Sequence, residues 1–195
     1  MKHEITNTNT KRKLAASLKN LMKKKSLDKI SISEIIVDSA LNRKTFYYHF
    51  RDVPSLFLWM LKEDAKEYST GTEFLVAPEE TVSLVLDFVK NTSYLKKYAY
   101  DSHDKIYLKS FFFDCFATII GSMLEAIEDA SGAKTDTSFK AFVNKFYAEA
   151  VAGMLTDYFR FESEETRLAL IRDILFILEN SLPAVIAAKC QEGKV

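Results

Sequence analysis

One short run of the sequence, NRKTFYYHF at residues 42–50, carries the side chains best suited to contact a ligand. Phe46 and Phe50 are four residues apart, so a helix over this run would place both rings on one face. The opposite face would then carry cations, hydroxyls and an amide. Arginine and lysine donate to guanine O6 and N7 in the major groove of DNA, and hydroxyls donate to phosphate oxygens. The residues predicted to contact DNA are Asn42, Arg43, Lys44, Thr45, Tyr47, Tyr48 and His49.

A helix as short as this one must be fixed by its neighbours. Ser31 or Ser33 is placed to cap a second short helix, which a brief turn separates from Asn42. A leucine repeat that begins at Leu14 predicts a first helix, and Asp52, two residues before a proline, predicts the start of a fourth. The pattern is a helix-turn-helix between two supporting helices. The predicted helices span about 10–25, 33–40, 42–50 and 53–68.

The charge is divided between the two parts of the chain. Residues 1–51 contain 12 Lys and Arg against 4 Asp and Glu, a net charge of +8, and the remaining residues contain 15 against 23, a net charge of −8. A basic N-terminal part is typical of a region that meets a polyanion, and an acidic remainder keeps the rest of the protein off it. We therefore predict a DNA-binding domain over residues 1–52 and a second domain over residues 53–195.

The composition predicts an all-α fold. The chain has 195 residues, 48% of them hydrophobic, and only 5 Gly and 3 Pro to punctuate it. Apolar residues recur with helical spacing after residue 78, where a proline follows the predicted linker TGTEFLVAPEE. The predicted helices of the second domain begin at Pro78, span SYLKKYAY, 104–129, 138–160 and 164–181, and end with a short helix that Pro183 initiates.

The region of residues 10–60 resembles the TetR/AcrR family of bacterial transcription regulators. The matching residues are EII at 34–36, ALN at 40–42, TFYYHF at 45–50 and Leu56. The resemblance implies the all-α fold, with an N-terminal helix-turn-helix domain and a C-terminal helical domain for dimerisation and ligand binding. It also implies that the run at 42–50 contacts DNA, with Arg43 and Lys44 on the bases and Ser33 on a phosphate.

Two residues depart from the family pattern. The turn of the helix-turn-helix usually contains glycine where this chain has Ala40, which is compatible with the fold if the backbone there is not left-handed. The family's phosphate-binding lysine at the start of the fourth helix is Val53 in this chain, and Arg51 is a partial substitute at best. We therefore expect weaker DNA binding than is typical of the family.

The last two long helices each carry two competing apolar stripes. In the helix over 138–160, one stripe contains Phe139, Phe142, Val143, Phe146, Ala150 and Met154, and the other contains Tyr147, Val151, Leu155 and Phe159. One stripe can face the protein's own core, and the second needs another partner. The two helices, over about 138–160 and 164–181, are therefore predicted to form half of an intermolecular four-helix bundle in a homodimer.

The second domain has two interpretations. In regulators of this family the C-terminal helices enclose a ligand cavity, and aromatic residues of this chain are candidates to line one; a well-filled core explains them equally well. The layout of this half also resembles a subgroup that includes dihydroxyacetone kinase regulators, which implies a protein effector instead of a free metabolite. The candidate lining residues are Trp59, Tyr94, Tyr98, Tyr107, Phe111, Phe112 and Phe116, and the candidate polar selectors are Glu63, Asp114 and His103.

Other functions find little support in the sequence. Cys115 and Cys190 lack a CxxC or histidine partner, and His3 and His103 are isolated, so no metal site or cofactor is predicted. The enzyme motifs GxxxxGK, GxGxxG and GxSxG are absent. Neither a signal peptide nor a long uninterrupted apolar segment is present, which predicts a cytoplasmic protein without a membrane partner. The alternative function is that of a helical co-regulator, which acts through a protein partner and binds DNA weakly or not at all.

Overall fold

The predicted all-α fold is confirmed. The computed structural model describes residues 2–68, 78–92, 94–95, 105–132, 134–158 and 164–192, and within these residues the only regular elements are helices. They are α1 (Lys2–Met22), a 3-10 turn (Leu27–Lys29), α2 (Ile32–Asp38), α3 (Arg43–His49), α4 (Val53–Tyr68), α5 (Pro78–Asn91), α6 (Lys105–Ser131), α7 (Thr137–Tyr158) and α8 (Glu164–Glu192).

The helices belong to two compact units. Unit 1 contains the described residues within 1–71 and 88–107, and unit 2 contains those within 72–87 and 108–195. Unit 1 therefore holds α1 to α4 and the end of α5, together with the start of α6. Unit 2 holds the rest of α5 and α6 with α7 and α8. The boundary predicted after residue 52 divides a DNA-binding domain from a second domain by function. It stays a prediction.

The core of unit 1 fixes the two short helices. Leu14 and Leu18 of α1, Ile35 of α2 and Phe46 of α3 are completely buried. Ser17, itself buried, donates from Oγ to the carbonyl oxygen of Ile35 over 3.1 Å, which ties α1 to α2. The buried Ile35 carbonyl oxygen keeps a hydrogen-bond partner in this way. The contact therefore stabilises the fold and fixes the position of α2 against α1.

The core of unit 2 is built on α6. By length and hydropathy α6 is, among the described residues, the one helix that would suffice to cross a membrane. Its burial favours a core helix instead, because one face packs into the protein. The buried residues of α6 are Leu108, Phe111, Phe112, Phe116, Ile119, Ile120 and Leu124.

Two helix boundaries were predicted wrongly. Helix α1 begins at Lys2 and not near Thr10, so the Thr- and Asn-rich lead is helical despite its weak helix propensity. Pro183 does not start a separate tail helix but lies inside α8. The buried stripe of Leu178, Leu182 and Ile186 continues across the proline and offsets the backbone hydrogen bond that the ring removes.

Other predicted boundaries are confirmed or lie outside the described residues. Asp52 accepts from the backbone N–H of Ser55 over 2.8 Å, which caps α4 as predicted, and α5 begins at Pro78. Most of the predicted linker and most of SYLKKYAY fall outside the described residues.

The turn after α2 has a left-handed residue. Ala40 has φ of 53°, so the condition under which alanine would be tolerated without strain is not met. The Leu41 N–H donates to the Ile36 carbonyl over 3.0 Å, the closing bond of a helix C-cap whose left-handed position usually carries glycine. Alanine there stores strain that glycine would not.

We therefore expect Ala40→Gly to stabilise the protein by about 1 kcal/mol, since relief of strain exceeds the added entropy of the unfolded chain. Urea unfolding of the two proteins measures the difference. The matched variant Ala16→Gly, at an exposed position inside α1, should instead lose about 1 kcal/mol. A destabilising effect at both positions would contradict the left-handed backbone at residue 40.

Candidate nucleic-acid interface

Helix α3 is capped by Asn42, the first residue of the run at 42–50. Asn42 Oδ1 accepts from the Thr45 backbone N–H over 2.8 Å and from Thr45 Oγ1 over 3.1 Å. Asparagine is among the preferred N-cap residues, because its side chain satisfies a backbone donor that the helix leaves unpaired. Asn42 and Thr45 are therefore engaged in starting the helix as well as lying on its exposed side.

Helix α2 is fixed by a capping box at Ser31, one of the two serines predicted for the cap. Ser31 Oγ accepts from the Glu34 backbone N–H, and Glu34 Oε2 accepts from the Ser31 N–H over 3.0 Å. Lys25 Nζ lies 2.5 Å from Glu34 Oε1. The hydrogen bond from Lys25, with those from Ser31, lowers the pKa of Glu34 to about 2, so the carboxylate stays ionised in this role. Ser33 is left exposed beside the cap.

The two phenylalanines of α3 lie on its inner side, as predicted. Phe46 is completely buried and Phe50 is 6% exposed. The Phe50 ring lies 5.8 Å from the Trp59 ring of α4, centroid to centroid. These contacts fix how α3 is rotated about its axis and so decide which side chains remain outside.

The outer face of α3 is polar and open. Tyr48 is 71% exposed and Tyr47 53% exposed, while Thr45 and His49 are half-buried at the margins. Arg43 donates from Nη2 to Ser33 Oγ over 2.7 Å, which joins the first turns of the two short helices. All of the predicted contact residues of this run are exposed or half-buried, and we call them together the α3 outer face: Asn42, Arg43, Lys44, Thr45, Tyr47, Tyr48 and His49.

The position where the sequence resemblance predicts a phosphate-binding lysine is buried in this protein. Val53 is 8% exposed and packs in the core of unit 1. Arg51, the candidate substitute, donates from Nε to Asp52 Oδ2 over 3.0 Å. This carboxylate partly offsets the guanidinium charge, although an ion pair with an arginine that is 91% exposed is weak. A weakened anchor at this point stays a prediction.

His49 lies at the margin of the α3 outer face, close enough to Lys11 to be affected by its charge. Partial burial, and then the positive charge of Lys11, lower its pKa below the ordinary 6.5. The same Lys11 lies over the Trp59 ring, with Nζ 5.7 Å from the centroid. His49 is therefore mainly neutral in the free protein near neutral pH.

This shift predicts a loss of stability in acid. The unfolded chain takes up the His49 proton at a higher pH than the folded protein does, so stability is retained above the ordinary pKa and falls as the pH drops through the lowered one. Between about pH 8 and pH 5, the free energy of unfolding should decline more in the parent than in His49→Gln. Parallel curves for the two proteins would show that His49 is not perturbed.

The aromatic residues considered for a ligand cavity are distributed over both units. Trp59 and Tyr94 belong to unit 1, and the Tyr107 ring lies edge-on to Phe57 at 6.3 Å. Tyr98 lies outside the described residues. Phe111, Phe112 and Phe116 are completely buried in unit 2. The cavity stays a prediction.

A polar cluster in unit 1 was not predicted from the sequence. Asp64 of α4 accepts from Lys19 Nζ over 2.5 Å and from the Tyr94 hydroxyl. Burial and the Asp64 carboxylate raise the pKa of Tyr94, which keeps the phenol protonated. The cluster borders a cleft of about 220 Å³ between α1 and α4, which Arg12, Trp59 and Glu63 also line. Lys19, Asp64 and Tyr94 are far apart in the sequence, so no local spacing predicts the cluster.

An apolar surface remains exposed on α7 and α8. The Phe142 and Phe146 rings stack 6.1 Å apart and are 63% and 59% exposed, whereas Val151 and Leu155 are buried. A groove of about 560 Å³ passes these rings, and Lys109 and Glu149 form an ion pair of 2.9 Å at its side. The exposed large apolar residues of these helices are Phe142, Phe146 and Met154 of α7 with Leu168, Phe176 and Ile177 of α8. We call them the apolar dimer surface after the homodimer predicted from the sequence, which stays a prediction.

No group of three or more His, Cys, Asp or Glu residues in the described part of the chain is arranged to hold a metal ion. Neither Cys115 nor Cys190 takes part in a disulfide.

Comparison with known proteins gives a fold and no family. No family model matches the chain, and no curated protein matches it. Among the solved structures that match is the dihydroxyacetone kinase operon activator DhaS, at a TM-score of 0.51 and 18% sequence identity, over 92% of this chain and 97% of that one. The chain therefore shares the overall helical fold of a transcription regulator across nearly its whole length.

Proposed function

We propose that this protein is a DNA-binding transcription regulator that uses the α3 outer face to contact the major groove. The observation that carries the proposal is the arrangement of α3, which buries Phe46 completely and leaves Arg43, Lys44 and Tyr48 exposed. Cations and hydroxyls on one short exposed helix match the donors that base edges and phosphates require. The helical fold shared with a transcription regulator, and the basic charge of residues 1–51, support the same function.

The active form would be a homodimer. A helix-turn-helix protein that binds a palindrome needs two heads about one turn of DNA apart. The apolar dimer surface on α7 and α8 is the best candidate to join them, since its centre is aromatic and charges such as Lys109 and Glu149 lie beside it. A second copy would bury the same surface and form an isologous bundle.

An effector would control the regulator through the second domain. A small molecule in a cavity near the buried aromatic residues of α6 is one form of control, and a protein partner is another. A cytoplasmic location follows from the function, because the DNA is there.

A co-regulator that acts mainly through a protein partner is the second candidate function. It is favoured by one observation, the closed position of the family's lysine: Val53 is buried and Arg51 is paired with Asp52. Such a protein would form a stable heteromer and would have no affinity for its own promoter region.

Selection of bound fragments from the genomic DNA of the source organism separates these functions. The regulator should retain a small set of duplex fragments that share a palindrome, at moderate salt, and cell extract containing the effector should change the retention. Failure to enrich any fragment, even at low salt, would overturn the regulator function and leave the co-regulator.

A further inference from the structure

The two arginines near α3 are held by partners of different charge. Arg43 donates to the neutral hydroxyl of Ser33 over 2.7 Å, and Arg51 donates to the Asp52 carboxylate over 3.0 Å. Within the described part of the chain, Arg43 has no carboxylate partner. The Ser33 contact therefore orients the Arg43 guanidinium and leaves its positive charge uncompensated.

The contact also leaves Arg43 able to read a base. A guanidinium has five N–H donors in a fixed plane, and the bond to Ser33 uses one of them. The remaining donors suffice for the paired contact to guanine O6 and N7. Ser33 is the second residue of α2, which the capping box at Ser31 and the buried Ile35 hold in place, so the acceptor is fixed before any ligand arrives.

We propose that Ser33 is a positioning residue for Arg43, which fixes the direction from which the guanidinium approaches one base and thereby sets the sequence preference at that base. A long side chain that is oriented in the free protein loses less entropy on binding, and a displaced guanidinium loses the paired geometry. This inference rests on the proposed function. It differs from the role that the family resemblance implies for Ser33, because a phosphate contact changes the affinity for all sequences alike.

Four variants test the inference: Ser33→Ala, Ser33→Thr, Arg43→Ala and the double variant Ser33→Ala/Arg43→Ala. Binding is measured on a selected site and on the same site with each base pair replaced in turn. Arg43→Ala should lower the preference at one position of each half-site about tenfold or more. Ser33→Ala should lower the preference at that same position about threefold to tenfold, while Ser33→Thr, which keeps the hydroxyl, should retain it.

The double variant decides the mechanism. If Ser33 acts through Arg43, removing Ser33 in the Arg43→Ala background should change the binding less than twofold. Three results would overturn the inference. The effects of the two single variants could multiply in the double variant, Ser33→Ala could lose affinity equally for every sequence, or Ser33→Ala could have no effect. Because Ser33 and Arg43 are both exposed, unchanged thermal unfolding of the variants confirms that the comparison is between folded proteins. A parent protein that binds no DNA is a different result, since it overturns the proposed function and the inference with it.

Discussion

Replacing Lys44 and Tyr48 together by alanine is expected to weaken binding to a selected DNA fragment at least about 100-fold, with little change in the stability of the protein. Both side chains are exposed on the α3 outer face, so they contribute little to the core. One lysine contact and one hydroxyl contact are lost in each of two heads, and each is worth about 1–2 kcal/mol at a binding surface. Fluorescence anisotropy with a labelled duplex measures the affinity.

The control for this double variant removes the same charge elsewhere in unit 1. Lys23→Ala, just after the end of α1, deletes an exposed lysine that does not belong to the α3 outer face. It should lower the affinity only slightly, through the reduced net charge. Full retention of binding by Lys44→Ala/Tyr48→Ala would show that another surface contacts the DNA.

The second large effect is expected at the apolar dimer surface. Phe146→Glu should convert the dimer into a monomer, because an unpaired carboxylate from each copy would be buried at the centre of an apolar interface. The variant should also lose DNA affinity by about 100-fold or more, since each head then binds without the other. Analytical ultracentrifugation measures the mass, and anisotropy measures the binding.

Ile106→Glu is the matched variant for this experiment. Ile106 is 67% exposed, similar to Phe146, but it lies on α6 and outside the apolar dimer surface. It should leave the dimer and the DNA affinity intact. A dimer that persists in Phe146→Glu at micromolar concentration would mean that α7 and α8 have a different partner.

The sequence predicts α3 well because its signals are local. Each of its signals joins residues no more than four positions apart: the cap of Asn42 on Thr45, the spacing of Phe46 and Phe50, and the cap of Asp52 on Ser55. Local signals of this kind need no knowledge of the rest of the fold. The outer face follows from the inner one, so most of the candidate interface could be predicted from the sequence.

The features that were missed depend on contacts that are distant in sequence. Pro183 is a helix breaker by its own chemistry, and only the buried stripe on both sides of it keeps α8 continuous. Ala40 is compatible with several turns, and only the geometry required to bring α2 and α3 together makes it left-handed. The bond from Arg43 to Ser33 joins side chains ten residues apart, which no periodic pattern predicts.

The dependence of DNA binding on salt tests the central claim most directly. With the parent protein on a selected duplex, the logarithm of the binding constant should fall steeply and linearly with the logarithm of the salt concentration, as phosphate contacts release counterions. Lys44→Ala removes one positive charge from each head of a dimer, so it should weaken binding and make that fall less steep. A flat dependence in the parent, or an affinity that Lys44→Ala leaves unchanged, would contradict the assignment of the α3 outer face to DNA.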